Sequence, residues 1–121
     1  MHEYGLALQI IDTLCLEAKK RNLSKIKEVF LDIGKLLMVN PEQLKFSLEI
    51  VAKGTKAEGM KVHITFRNPK IKCENGHVSE INFPENSELL FFSELKCPKC
   101  NTPNFIFESG KELYIKRIIA E

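Results

Sequence analysis

Two ligand pairs constrain this chain more than any other feature of its 121 residues: Cys73-Glu-Asn-Gly-His77, then nineteen residues, then Cys97-Pro-Lys-Cys100. Zn(II) prefers four thiolate or imidazole donors in a closed tetrahedron. Two tight turns joined by a hairpin-length spacer supply such a set, here Cys73, His77, Cys97 and Cys100. The surrounding segment needs the metal. A piece of about forty residues cannot hold a fold on its own apolar core, whereas structural zinc contributes on the order of 10–16 kcal/mol. Phe83, Phe91, Phe92, Phe105 and Phe107 are the expected apolar cover, and Lys72-Cys73 and Lys96-Cys97 are each expected to lead a strand into a metal-binding turn. The alternatives are a redox-active Cys97-x-x-Cys100 with an isolated buried thiol at Cys73, and a carboxylate or water as fourth ligand in place of His77. A redox pair usually opens a helix, and Asn101-Thr-Pro-Asn104 does not continue one. With four protein ligands the site is closed, which argues against zinc catalysis. Cys15, on a helical apolar stripe, reads as a buried free thiol.

Residues 68–108 also differ in composition from their flanks, with four of the five prolines, three of the four cysteines and five of the eight phenylalanines. They read as a separate zinc-binding module, 68–108, set into a domain made of 1–67 plus 109–121. The module carries four lysines against six glutamates, a balance of −2 that leaves the rest of the chain at +4. Phosphate binding needs Lys and Arg gathered on one surface, so nucleic acid is not the expected partner. No apolar run exceeds four residues, far short of the roughly twenty that span lipid, so no membrane segment is expected. The opening Met-His-Glu-Tyr-Gly has neither the basic start nor the apolar stretch of a secretion signal, which predicts a cytoplasmic protein whose cysteines are thiols or ligands before they are disulfides.

Outside the module the periodicities are plain. Leu6, Ala7, Ile10, Ile11, Leu14, Cys15 and Ala18 recur at steps of three and four, predicting a helix over roughly Glu3 to Arg21 that Asn22 and Leu23 end. Lys27 to Ile33 predicts a strand with Val29, Leu31 and Ile33 on one face and Gly34 at its close. Asn40-Pro41-Glu42-Gln43 offers an N-cap, a proline at the first helical position and a capping-box glutamine, predicting a second helix over about Pro41 to Lys53. Met60 to Phe66 and Leu113 to Ile119 alternate as strands. The expected fold is α+β: a small mixed three-stranded sheet covered by two helices, with an inserted zinc-ribbon-like module.

At the amino terminus His2 stands between the α-amine of Met1 and Glu3. The amine, a backbone amide nitrogen and a His2 ring nitrogen can close chelate rings in one plane, and planar nitrogen-rich sites suit Ni(II) or Cu(II) rather than Zn(II). Glu3 can add an oxygen or an amide nitrogen. A histidine at position two is, equally, a common exposed and mobile side chain, and exposure is likewise the default for His63. No Ser/His/Asp constellation, phosphate loop or paired-carboxylate arrangement stands out, so no enzyme activity is expected.

Met1-His2-Glu3 opening an amphipathic helix, followed by a small helix and strand body and a late pair of zinc-binding turns, resembles the hydrogenase nickel-incorporation protein family HypA/HybF over essentially the whole chain. Met1, His2 and Glu3 match the family's terminal motif, and Cys73, Cys97 and Cys100 match its two-pair cysteine motif. At position 76, where the family has a cysteine, this chain has Gly76 followed by His77. The resemblance implies a nickel metallochaperone, not an enzyme. It implies Ni(II) carried at Met1, His2 and Glu3 and delivered to the large subunit of [NiFe]-hydrogenase together with the GTPase HypB, with Zn(II) structural in the module. The alternative is a zinc-ribbon module that binds nucleic acid or docks a protein, without nickel function.

Overall fold

A computed structural model describes residues 2–83 and 95–121. The expectations for Met1, Phe91 and Phe92 lie outside the described residues. The chain forms two compact units, Met1–Asp32 with Val39–Thr65 and Tyr114–Glu121, and Ile33–Met38 with Phe66–Leu113.

In the first unit, helix α1 runs His2–Lys20 and buries Ala7, Ile10, Ile11, Leu14 and Ala18, the stripe its sequence spacing predicts. Cys15 differs from expectation: it lies at the flank of that stripe and is half-buried, though still a free thiol. The helix stops because Asn22 takes a left-handed conformation (φ 54°), which lets Leu23 N–H donate to Ala18 O and Asn22 N–H to Lys19 O. This pair of bonds satisfies carbonyls that the helix end would otherwise leave open.

Strand β1, Ile26–Gly34, buries Ile26, Val29, Leu31 and Ile33. A short 3-10 turn, Lys35–Leu37, leads to helix α2, Pro41–Ala52, whose inward face carries Leu44, Ser47, Leu48 and Ala52. Asn40 caps α2 by accepting from Glu42 N–H and Gln43 N–H at 3.1 Å each, with Pro41 in the first turn. The expected reciprocal bond from Gln43 is not the one formed. Asn40 N–H instead donates to Glu3 Oε2 at 3.0 Å, so a carboxylate from the start of α1 fills the capping-box role.

Strands β2, Lys61–Arg67, and β6, Leu113–Ala120, flank β1 in the order β2-β1-β6. Glu121 N–H donates to Lys25 O at one end and Gly34 N–H to Glu112 O at the other, so β1 and β6 run antiparallel. His63 meets Glu28 and Thr65 meets Leu31 and Asp32, contacts that advance along both strands together, so β1 and β2 run parallel. A parallel pair needs a long crossover, and α2 provides it. The sheet is therefore mixed, as the element order predicts.

The second unit holds an antiparallel sheet ordered β4-β3-β5, from β3 Lys70–Cys73, β4 Val78–Glu80 and β5 Phe105–Ser109. Ile71, Ile81 and Phe83 are buried in it, and Phe105 and Phe107 meet edge to face at 5.5 Å. The unit extends beyond 68–108 because the 3-10 turn after β1 bonds into it: Leu36 N–H donates to Gly110 O, and the Lys35 ammonium donates to Phe83 O at 2.9 Å. Gly34 and Gly110 make that approach possible. A Cβ on Gly34 would stand 2.1 Å from the Gly110 carbonyl oxygen.

Candidate metal centres

The first knuckle is the loop of the β3–β4 hairpin. Cys73 N–H donates to His77 O, Gly76 N–H donates to Cys73 O, and Gly76 sits at φ +86°, a three-residue loop closed by a left-handed glycine. His77 N–H also donates to Cys73 Sγ at 3.3 Å. Gly76 offers no side-chain donor at the left-handed position that closes the loop, and the second donor of the pair is the next residue, His77.

The second knuckle, Cys97 to Cys100, is a turn in which Asn101 N–H donates to Cys97 O and Cys97 N–H to Thr102 O, with Asn101 left-handed at φ 62°. Lys96-Cys97 does not lie in a strand, contrary to expectation. Pro98, lacking an N–H, follows at once, and the bond to Thr102 closes a turn rather than extending a ladder. The strand of this knuckle is β5, which comes after it.

The four side chains converge. The donor atoms of Cys73, His77, Cys97 and Cys100 all lie within 4.8 Å of one another, with Cys73 and Cys97 buried and His77 and Cys100 half-buried. Cys73 Sγ is 3.6 Å from Cys100 Sγ and 3.5 Å from His77 Nδ1. Tetrahedral zinc bonds of about 2.3 Å to sulfur and 2.0–2.1 Å to nitrogen imply donor separations of about 3.5–3.8 Å, which the two Cys73 separations match, and the donor set fits zinc in its chemistry. The thiols differ: the Asn75 amide foremost, then the Thr102 N–H and His77, lower Cys100 to about 6, whereas burial pushes Cys73 up.

Sequence reasoning missed the polar residues that join the two knuckles. The Glu74 carboxylate accepts from Thr102 Oγ1 at 2.9 Å and from Asn104 Nδ2 at 3.2 Å, and Asn75 Nδ2 donates to Cys100 Sγ at 3.5 Å. Glu, Asn and Thr in turns are common, and only the fold shows that these face one another.

The terminal residues form no comparable cluster among the described residues. His2 is exposed on the first turn of α1, and Glu3 is half-buried with its carboxylate engaged by Asn40 N–H. That bond above all holds the Glu3 carboxyl below its ordinary value, with smaller help from its own N–H, His2 and the terminal amine. His63, exposed as expected, has Nε2 2.7 Å from Glu28 Oε1 and its ring stacked on Phe30 at 4.3 Å.

The family model described as "Hydrogenase/urease nickel incorporation, metallochaperone, hypA" matches residues 1–120. The chain belongs to the HypA family. Hydrogenase maturation factor HypA of Methanocaldococcus jannaschii is 33% identical over all of this chain and 98% of its own length. The protein of the same name from Methanothermobacter thermautotrophicus is 34% identical, again over all of this chain and 98% of its own length. Two solved structures share the fold. The solution structure of the nickel metallochaperone HypA from Helicobacter pylori is 24% identical with a TM-score of 0.68, over 99% of this chain and 97% of that one. A second HypA solution structure is 23% identical with a TM-score of 0.69, over 100% and 97%. HypA proteins are metallochaperones acting in maturation, so this family member is a maturation factor and not an enzyme, and its partners are hydrogenase-related. Among the described residues no helix is long and apolar enough to cross a membrane.

Proposed function

We propose that this HypA family member carries Ni(II) on Met1, His2 and Glu3 in the cytoplasm and delivers it to the large subunit of [NiFe]-hydrogenase, working with the GTPase HypB. The observation that carries this reading is the Met-His-Glu motif at residues 1–3, in a chain that a nickel-incorporation family matches over residues 1–120. The chemistry agrees. The first amides of a helix have no intrahelical acceptor, so a metal can take a deprotonated nitrogen there without breaking the helix. His2 is exposed, as a donor that must release its cargo should be. Because its carboxylate is held by Asn40, Glu3 contributes through its amide nitrogen in this reading.

Residues 1–67 plus 109–121 are then the nickel-binding domain and 68–108 the zinc-binding one, where Cys73, His77, Cys97 and Cys100 hold a structural ion. Zinc supplies the closure that this small unit's core does not. Nickel and zinc measured together on the native protein and on His2→Ala, followed by transfer of labelled nickel to the hydrogenase large subunit with HypB and GTP, test the proposal. The expected result is unchanged zinc with loss of both nickel binding and transfer in His2→Ala. Undiminished transfer by that variant would overturn it.

A further inference from the structure

The two knuckles touch through residues that are not ligands. Glu74 lies at the tip of the first, directly after Cys73. Its N–H donates to Asn104 O at 3.0 Å, continuing the β3–β5 ladder past the Cys73–Phe105 pair. Its two carboxylate oxygens take the Thr102 hydroxyl and the Asn104 amide, while Asn104 N–H donates back to Thr102 Oγ1 at 3.2 Å. Thr102 O in turn accepts from Cys97 N–H, and the neighbouring Asn75 amide reaches Cys100 Sγ. One turn therefore grips the exit of the other at three points and the sulfur of one ligand at a fourth.

We propose that Glu74 is a positioning residue of the metal site, a clasp from the Cys73–His77 turn that holds the Cys97–Cys100 turn against it and so slows release of the ion. The inference rests on the zinc reading above and goes beyond it. Hydrogen-bond partners behind a ligand set are worth roughly 10–100-fold in metal affinity when removed. The clasp depends on hydrogen-bond shape and not on negative charge. A glutamine at position 74 can accept from the Asn104 amide with its oxygen and donate to Thr102 Oγ1 with its nitrogen, keeping both contacts. Alanine keeps neither, and Thr102→Val removes the hydroxyl while conserving the β-branched shape.

The test is the rate of zinc transfer from the full-length protein to a chromophoric chelator, for the native chain, Glu74→Ala, Glu74→Gln and Thr102→Val, with the ligand-field spectrum of each Co(II)-substituted form. About tenfold faster transfer is expected for Glu74→Ala and for Thr102→Val, with Glu74→Gln close to native and all four spectra those of three sulfurs and one nitrogen. Native transfer rates in Glu74→Ala, with zinc still bound one per chain, would overturn the clasp and leave the zinc site standing. Equal acceleration by alanine and glutamine would overturn it in favour of simple charge. A native protein that takes up no zinc, or a Co(II) spectrum of another donor set, would instead overturn the zinc reading on which it rests.

Discussion

Glu3 and Asn40 lie thirty-seven positions apart in sequence, yet one hydrogen bond makes the start of α1 part of the cap of α2. A carboxylate at that point meets the positive end of the helix as well as an open N–H, contributions of about 0.5–1 kcal/mol at a surface site. Glu3→Ala is therefore expected to lower stability by about that amount in urea unfolding at neutral pH. The folded-state pKa of Glu3 is lowered from its ordinary 4.5, so this stabilisation is present above that value and is lost as pH falls through the lower folded value. The difference between native protein and variant should accordingly shrink in acid; a gap that persists there would show that Glu3 acts by some other contact. Gly34 carries a sharper constraint. Any Cβ meets the Gly110 carbonyl, a backbone atom with no rotamer to escape into, so Gly34→Ala should cost about 1–3 kcal/mol in the same measurement. A neutral Gly34→Ala would mean the two segments separate freely.

At the scale of elements, the α1 stripe does the packing that its periodicity announces. Leu14 is fully buried, and Leu14→Ala should cost about 2–5 kcal/mol, read as a lower unfolding midpoint with unchanged denaturant slope. Elements of this kind were legible because one physical signal, apolar period, determines them: α1, β1, α2, β2 and β6 all lie within about two residues of expectation. The caps were legible as residue types and not as partners. Asn40 and Pro41 act as their chemistry suggests, but Glu3 supplies the bond expected of Gln43, since sequence spacing cannot reveal which distant carboxylate arrives. The convergence of Cys73, His77, Cys97 and Cys100 was legible because metal chemistry restricts the spacing of such donors, whereas the left-handed turn at Gly76 that places His77 was not. Glu74, Thr102 and Asn104 were illegible, for their role exists only in the pairing of β3 with β5.

For the whole molecule, the described helices both belong to the first unit and the ligand cluster to the second. Removing zinc with a chelator should therefore abolish amide-exchange protection in β3, β4 and β5 while most helical circular dichroism remains. Parallel loss of both would contradict a role for the ion confined to the cysteine-bearing unit. The separation also permits a direct test of the proposed nickel site, because the terminus can be altered without touching Cys73, His77, Cys97 or Cys100. Titrating Ni(II) into zinc-loaded protein with its native terminus, and into the same protein with one residue added before Met1, decides the matter. Nickel binding by the first and its loss in the second, at one zinc per chain in both, is the expected result; equal nickel affinity in the two forms would contradict it.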